Sequence, residues 1–592
     1  MTRKRVKLGE LLREKKLISE EQLREALTEQ RSSGRKLGRV LIDIGAVSEA
    51  DLHRCLAEYL KIPYVDLGHM SLDPRIVRLL PETHARRYRA LVLKEDGQGL
   101  LVGMADPTDL FAFDELSRLL GKPIRLALAK EAALLRTIDV IYRRTDEIIS
   151  LAEELNEELS QGGLDVDALS AEEGSLDAPV IKLIQSMFHD AVQVKASDIH
   201  IEPEENRLRV RLRVDGVLQE QIIDGHRVGQ ALVTRLKLMC GLDIAERRKP
   251  QDGRFSIKVE DKVLDVRAST MPIYSGEAMV LRLLDQSASL MTFDELGMPS
   301  DVAARFKQFV ERTAGMVLVT GPTGSGKTTT LYAALNYVNS PASKIITAED
   351  PVEYRLERIN QVQVNPKIGL TFAAVLRTAL RQDPDIVLVG EMRDGETVEM
   401  GLRAAMTGHL VFSTLHTTNA VTTVTRLLDM GAQDFLIASS LHGVLAQRLM
   451  RRICDSCAEP AALTPQQEAW IKRHLGGAYE QEFRHGIGCT YCNMTGYRGR
   501  IGIYELLEID AILADAIRRG DVAHFAQLAK RQEGFVPLVQ RALDYALQHK
   551  TSIEEVLRVT SGLEEEELSA SLLSDVLSSE SETPAAAVPS VL

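Results

Sequence analysis

The stretch Met316-Val-Leu-Val-Thr320-Gly321-Pro322-Thr323-Gly324-Ser325-Gly326-Lys327-Thr328-Thr329 decides how the rest of this chain is read. Its apolar start predicts a buried strand, and Thr329–Val338 carries a helical pattern, so the glycine-rich segment lies at a strand-to-helix turn. In that context a Gly-x-x-x-x-Gly-Lys-Thr loop holds phosphate. Glycines admit a tight turn whose N–H groups face the oxygens, Lys327 reaches the β and γ phosphates, and the Thr328 hydroxyl is placed for Mg2+. An ordinary glycine turn has no reason to carry both flanking elements. The expectation is an ATP site made by Gly321, Pro322, Thr323, Gly324, Ser325, Gly326, Lys327, Thr328 and Thr329.

Working outward, apolar runs at Lys344–Thr347, Ile386–Val389 and Leu410–Thr414 alternate with longer helical patterns, which predicts a largely parallel sheet wrapped by helices. The run Asp385-Ile-Val-Leu-Val-Gly390-Glu391 ends in a carboxylate where an ATPase needs a group to polarise the attacking water, and Glu391 is assigned that work; a helix-start acid is the alternative. In Glu349-Asp350-Pro-Val-Glu353 the acids either serve metal or water or are solvated loop groups. His409 and His416 bracket Leu410–Leu415, and are either γ-phosphate sensors or satisfied core histidines. In Arg209-Val-Arg211-Leu-Arg213 the strand period puts three guanidiniums on one face ahead of Asp215-Gly216, a solvated edge being the competing reading.

The whole chain sets wider bounds. With 592 residues it is too long for one core, so an α/β multidomain protein is expected. A net charge of −13 opposes non-specific nucleic-acid binding, and no nucleic-acid partner is expected. No apolar run reaches membrane-spanning length and the basic opening lacks a secretory core, which points to the cytoplasm. Of six cysteines, Cys454-x-x-Cys457 and Cys489-x-x-Cys492 have ligand-pair spacing for a closed structural Zn2+ site. Two independent redox pairs are the alternative.

Lys7–Gln30 repeats as Lys36–Tyr59 at an offset of 29, matching Leu12 with Leu41, Ser19-Glu20 with Ser48-Glu49, Leu23 with Leu52 and Leu27 with Leu56. Each unit predicts a helical hairpin whose second helix opens at a serine cap; Ser19 with Gln22 has capping-box spacing. Gly9 and Gly38 are read as permitting close backbone approach to a ligand, and the leucines as an apolar floor. The alternative is two hairpins that only pack.

The expected organisation is an amino-terminal region 1–144 (hairpins 7–59, α/β part 62–142), an acidic linker 145–178, a second α/β domain 179–289, a motor domain 290–560 with a tetracysteine element at 450–500, and a disordered acidic tail 561–592. Gly321–Thr328, Ile346–Glu353, Leu376–Asp385, Gly390–Thr397 and Thr407–Thr417 resemble, in order, the Walker A, aspartate, Walker B and histidine boxes of the type II/IV secretion ATPases. This resemblance implies a RecA-like P-loop fold, a homohexamer, domain rotation driven by ATP, and an inner-membrane platform protein as partner. It further implies that Glu353, His409 and His416 couple the site to motion and that arginines matching Arg211, Arg213, Arg377 and Arg381 approach the nucleotide. The tetracysteine element is similar to that of assembly motors and is generally lacking in retraction relatives. The hairpins resemble a tandem cyclic di-GMP motif on Lys7, Leu8, Gly9, Leu12, Leu23, Leu27 and Gln30, then Lys36, Leu37, Gly38, Leu41, Leu52, Leu56 and Tyr59, with Lys for Arg twice and Tyr for the last Gln. Together these features look like the branch of the family that extends mannose-sensitive haemagglutinin (MSHA) pili. Competing readings are a nucleic-acid-dependent helicase and a cyclic di-GMP-responsive adaptor whose ATP site does not turn over.

Overall fold

The computed structural model describes residues 9, 12–13, 15–33, 37, 40–41, 44–67, 70, 72–142, 145–160, 179–285, 291–477, 479 and 481–563. The chain folds as two compact units, one carrying Met1–Ser150 with Gly488–Thr495 and a larger one carrying Leu151–Ile487 and Gly496–Leu592.

In the amino-terminal unit the duplication is visible in the backbone. Leu17 N–H bonds to Leu12 O at 3.0 Å and Ala46 N–H to Leu41 O at 2.9 Å, the same turn 29 residues apart. Each turn leads to a capped helix, Glu20–Ser33 and Glu49–Leu60. Ser19 and Gln22 exchange both capping-box bonds, at 2.8 and 3.1 Å, and Ser48 Oγ accepts from Asp51 N–H at 3.2 Å. Leu12, Ile18 and Ala26 share one buried cluster with their counterparts Leu41, Val47 and Cys55, so the two hairpins close a single core. The α/β part is a four-stranded sheet of β1 (Tyr64–Val65), β2 (Ala90–Asp96), β3 (Gly99–Met104) and β4 (Ile124–Ala129) in the order β1-β4-β3-β2.

The acidic linker expected over 145–178 opens with a helix. Thr145–Ser160 is a helix with Ile148, Ala152 and Leu155 buried, because apolar residues at helical spacing outweigh its acidic composition. Of the expected linker and tail, 161–178 and the residues beyond Leu563 fall outside the described residues.

The larger unit opens with helix Pro179–Gln193 and a wholly antiparallel sheet. Its strands are β5 (Asp198–Pro203), β6 (Arg207–Val214), β7 (Val217–Asp224), β8 (Gln251–Val259), β9 (Lys262–Ile273) and β10 (Gly276–Asp285), ordered β7-β6-β5-β10-β9-β8. Helix His226–Met239 lies close on it: a Cβ at Gly229 would sit 3.2 Å from both Leu208 and Pro203.

The second sheet of this unit is built on β11 (Gly315–Thr320), β12 (Ile345–Glu349), β13 (Ile359–Gln363), β14 (Ile386–Val389), β15 (Leu410–Leu415), β16 (Leu441–Ile453) and β19 (Tyr497–Glu508). Their order is β13-β12-β14-β15-β11-β16-β19, parallel except for β19. All six residues of β11 are buried. Met316 and Leu318 face one core cluster and Val317 and Val319 the other, which is how a strand covered on both sides reads as a continuous apolar run. Between β16 and β19 the chain makes an excursion with a small ladder, β17 (Ala458–Pro460) on β18 (Arg484–Gly486), and a capped helix Pro465–Leu475.

Candidate active site

The phosphate loop runs from the carboxyl end of β11 into helix Lys327–Val338. Two glycines in it are obligatory on steric grounds. Gly321 has φ 145° and a Cβ there would lie 2.4 Å from Gln447 O and 2.6 Å from Ser325 Oγ. Gly326 has φ 89° and would bring its Cβ to 2.9 Å from Gln447 Nε2. Strand β16 is therefore the wall against which the loop is folded. Thr330 Oγ1 donates to Gln447 Oε1 at 2.8 Å, and buried Arg448 donates to Thr418 O at 2.7 Å.

Within this loop Lys327 Nζ donates to Gly321 O at 2.7 Å and Pro322 O at 3.0 Å. Burial pushes its pKa down to about 8, helped by the Arg448 charge and opposed by Glu391. Buried Ser325 Oγ has no hydrogen-bond partner within the protein. An underpartnered hydroxyl, a depressed lysine and a helix amino end at one loop fit a polyphosphate, and Thr328 in the first helical turn fits an accompanying Mg2+. Binding a triphosphate restores the proton to Lys327, so ATP affinity is full below about pH 8 and falls above it, by up to about tenfold per pH unit. Nucleotide titration between pH 7 and pH 9 checks this; Lys327→Arg keeps its charge and shows a flat profile.

Glu391 follows β14 and is held from both sides, by Gly390 N–H on Ala348 O at 2.7 Å and by Met392 N–H on Thr414 O at 3.2 Å. Its carboxylate meets His416 Nε2 at 3.3 Å and pairs with Arg393, whose guanidinium also lies 3.6 Å from Asp350. The acidic loop after β12 is anchored by Glu349, which accepts from Tyr332 OH, from Thr347 Oγ1 at 2.5 Å and from Gln361 at 3.2 Å. Glu353 pairs with Arg267 of β9 at 3.0 Å.

The structure thus gathers the Gly321–Thr329 loop, Glu391, His416 and the acidic loop at one end of the sheet. It does not bring His409 there. That residue precedes β15 at the opposite end, about 20 Å away at strand rise, and its Nδ1 contacts Ala404 O at 3.0 Å. Among the described residues the four arginines are paired away from the loop. Arg211 pairs with Glu202 at 2.5 Å, Arg213 with Asp198 at 3.8 Å and Arg377 with Glu396 at 2.5 Å, while Arg381 donates to Arg377 O. Sequence reading missed Gln447, Arg448, Arg393 and Arg267. A polar Gln-Arg pair inside the apolar run Val444–Met450 was the available signal for the first two.

The four cysteine sulfurs lie within 4.8 Å of one another, with Cys489 and Cys492 Sγ 3.7 Å apart, close to the edge of a tetrahedron with Zn–S bonds of about 2.3 Å. The donor set fits Zn2+: Cys454, Cys457 and Cys492 are buried and Cys489 is half-buried.

In the hairpins, Lys7, Leu8, Lys36 and Gly38 lie outside the described residues. A Cβ at Gly9 would meet Leu23 Cδ1 at 2.5 Å and Leu37 Cδ2 at 3.4 Å, so its lack of a side chain serves helix packing. Leu12, Leu41 and Leu52 are buried in the hairpin core. Leu27 and Tyr59 are exposed, at 38% and 39%, and Gln30 and Leu56 are half-buried; one helical turn separates Leu27 from Gln30 and Leu56 from Tyr59.

Residues 173–558 match the model of the type II/IV secretion system protein family. The chain belongs to that family. Residues 60–148 match the MshEN domain, a match that starts after the hairpins. The type IV pilus assembly ATPase PilB of Myxococcus xanthus is 41% identical over 564 residues, covering 93% of this chain and 98% of that protein. The type II secretion system ATPase E of Vibrio cholerae serotype O1 is 42% identical over 505 residues, covering 82% and 97%. Among solved structures, the pilus retraction motor PilT with bound ADP is 29% identical and covers 64% of this chain and 96% of that chain, with a TM-score of 0.45. That of MshE with cdg is 42% identical, covering 23% and 99%, with a TM-score of 0.23. This member of the secretion family is an ATP hydrolase of the pilus-assembly and type II secretion group. No helix among the described residues is long and apolar enough to cross a membrane.

Proposed function

We propose that the chain works as a homohexamer at the cytoplasmic face of the inner membrane. There it spends ATP on moving a platform protein that assembles an MSHA-type pilus or drives type II secretion, under control of cyclic di-GMP. The observation that carries the motor reading is Glu391, set between the loop of Lys327 and the pair Arg393–His416. Lys327 binds the phosphates and Thr328 takes the metal, which neutralises oxygen charge. Glu391 accepts the proton of the attacking water, and Glu353 and His416 relay the state of the site; His409 is left out on the geometry above.

Purified full-length protein is expected to release phosphate from Mg-ATP, to run as a hexamer by native mass, and to show no stimulation by DNA or RNA. Nucleic-acid stimulation of tenfold or more identifies the helicase reading instead, and nucleotide binding without turnover identifies the adaptor.

For regulation, the exposed Leu27–Gln30 and Leu56–Tyr59 turns are the surface proposed to meet cyclic di-GMP. Leu27→Asp, at a site outside the hairpin core, is expected to weaken cyclic di-GMP binding about 10–100-fold, the worth of one buried leucine. Calorimetry on the folded full-length variant checks it; unchanged affinity moves the ligand elsewhere.

A further inference from the structure

We propose that Arg448 and Glu505, buried on the paired strands β16 and β19, are positioning residues for hydrolysis that fix the segment 417–420 and through it hold His416 against Glu391. The proposal rests on the reading of His416 as part of the hydrolytic site.

His416 stands just outside the sheet. It is the first residue beyond β15, whose ladder with β11 ends at the pair Leu415 and Thr320. Its side chain is 52% exposed, so the 3.3 Å contact with Glu391 is open to solvent and contributes little to fixing the ring. The backbone that follows has to supply the placement, and it is tied down at three successive residues. The hydroxyls of buried Thr417 and Thr423 lie 2.7 Å apart. Arg448 Nη2 donates to Thr418 O at 2.7 Å. Glu505 Oε1 accepts Ala420 N–H at 2.7 Å, while its Oε2 accepts Leu538 N–H at 3.0 Å.

Stability alone gives no reason for these two charges. Arg448 is 9% exposed and Glu505 3%, and an apolar residue of similar volume in place of a buried charge is commonly as stable or more so. Both instead direct charge-assisted hydrogen bonds at backbone atoms of one short segment. Glu505 also lies at the amino ends of two helices, Val421–Asp429 and Leu538–Leu547, where an anion is favoured. Arg448 reaches in a second direction. Its Nη1 donates to Gln447 O at 3.3 Å, and a Cβ at Gly321 would lie 3.2 Å from that nitrogen. One rigid, planar guanidinium thus borders both the first glycine of the phosphate loop and the segment that carries His416, a geometry a lysine cannot reproduce.

Steady-state phosphate release by the full-length protein tests this in Arg448→Met, Glu505→Gln and His416→Gln, and in each of the first two combined with His416→Gln. Arg448→Met and Glu505→Gln are each expected to lower kcat at least about tenfold with KM for ATP within about threefold. Added to His416→Gln, each costs less than about a further twofold, because both act through that residue. Arg448→Lys keeps the charge and loses the fork, so its rate falls between those of wild type and Arg448→Met. Should Arg448→Met fail to assemble by native mass, Arg448→Lys decides: kcat about threefold or more below wild type is expected, and a wild-type rate overturns the proposal. Unchanged kcat in Arg448→Met or Glu505→Gln, a rise in KM alone, or losses that simply multiply with that of His416→Gln also overturn it. A His416→Gln enzyme at wild-type rate removes the underlying assignment of His416 and the inference with it. That outcome is distinct from failure of the clamp, in which His416→Gln is slow and Arg448→Met is not.

Discussion

Replacing Glu391 with glutamine lowers kcat for ATP about 10²–10⁴-fold while ATP binding at pH 7 stays within a few-fold, as measured by phosphate release and by titration with a fluorescent nucleotide. The magnitude is that of removing a positioned general base. Glutamine keeps the volume and the backbone bonds that flank the residue, Gly390 to Ala348 and Met392 to Thr414, so the strand end is preserved. What is lost is the anion. Arg393 is left with Asp350 alone, 3.6 Å away, and His416 loses its carboxylate partner. The anion also supports the charge of Lys327, whose pKa near 8 is raised by Glu391. Its removal drops that pKa further, so the binding deficit of the variant grows as pH rises from 7, with the same sign as in the wild type and an earlier onset. Turnover within threefold of wild type would falsify the assignment of Glu391.

Stripping metal from the tetracysteine element is expected to cost the excursion its fold. Structural zinc on thiolates contributes about 10–16 kcal/mol of apparent folding free energy in small domains at neutral pH. Besides the thiolates, the element is held by a three-residue ladder, one capped helix, buried Ile471 and Phe483, and turns such as Cys457 N–H on Cys454 O at 3.1 Å. Full-length protein is expected to release one Zn2+ per chain to a strong chelator or to thiol-modifying reagent, and then to be cleaved by protease between 454 and 496. Cys457→Ser reproduces the cleavage without chelator. Loss rises as pH falls, because the ligands bind as thiolates and protons compete for them. Protein that carries four reactive thiols, no metal by elemental analysis, and an intact excursion would remove zinc from the account.

The motor sheet was legible because its signals are local. Val317 and Val319 alternate with Met316 and Leu318 in a continuous apolar run, which a strand covered on both faces requires, and the run ends in a loop whose glycines have backbone angles few other residues accept. The hairpin duplication was equally plain, since the Ser19–Gln22 box and its counterpart at Ser48 lie within one helical turn. Three strands of the small domain, β7, β8 and β10, were not anticipated, because half-buried antiparallel strands with interspersed charges dilute the apolar pattern, and β16 and β19 were missed because Arg448, Arg451, Arg452, Arg498, Arg500 and Glu505 interrupt theirs.

Residue type and spacing along the chain were enough to establish the phosphate loop, the carboxylate after its neighbouring strand, the paired cysteines and the repeated hairpins, because each is a short-range pattern with one physical use. Packing alone settled which candidates meet. It set Gln447 and Arg448 of a distant strand against the loop, turned Gly9 into a helix contact, left His409 at the far end of its strand, and delivered Arg267 to Glu353. The reason is that register and domain docking are fixed by many weak contacts summed over the fold, and no window of sequence contains that sum.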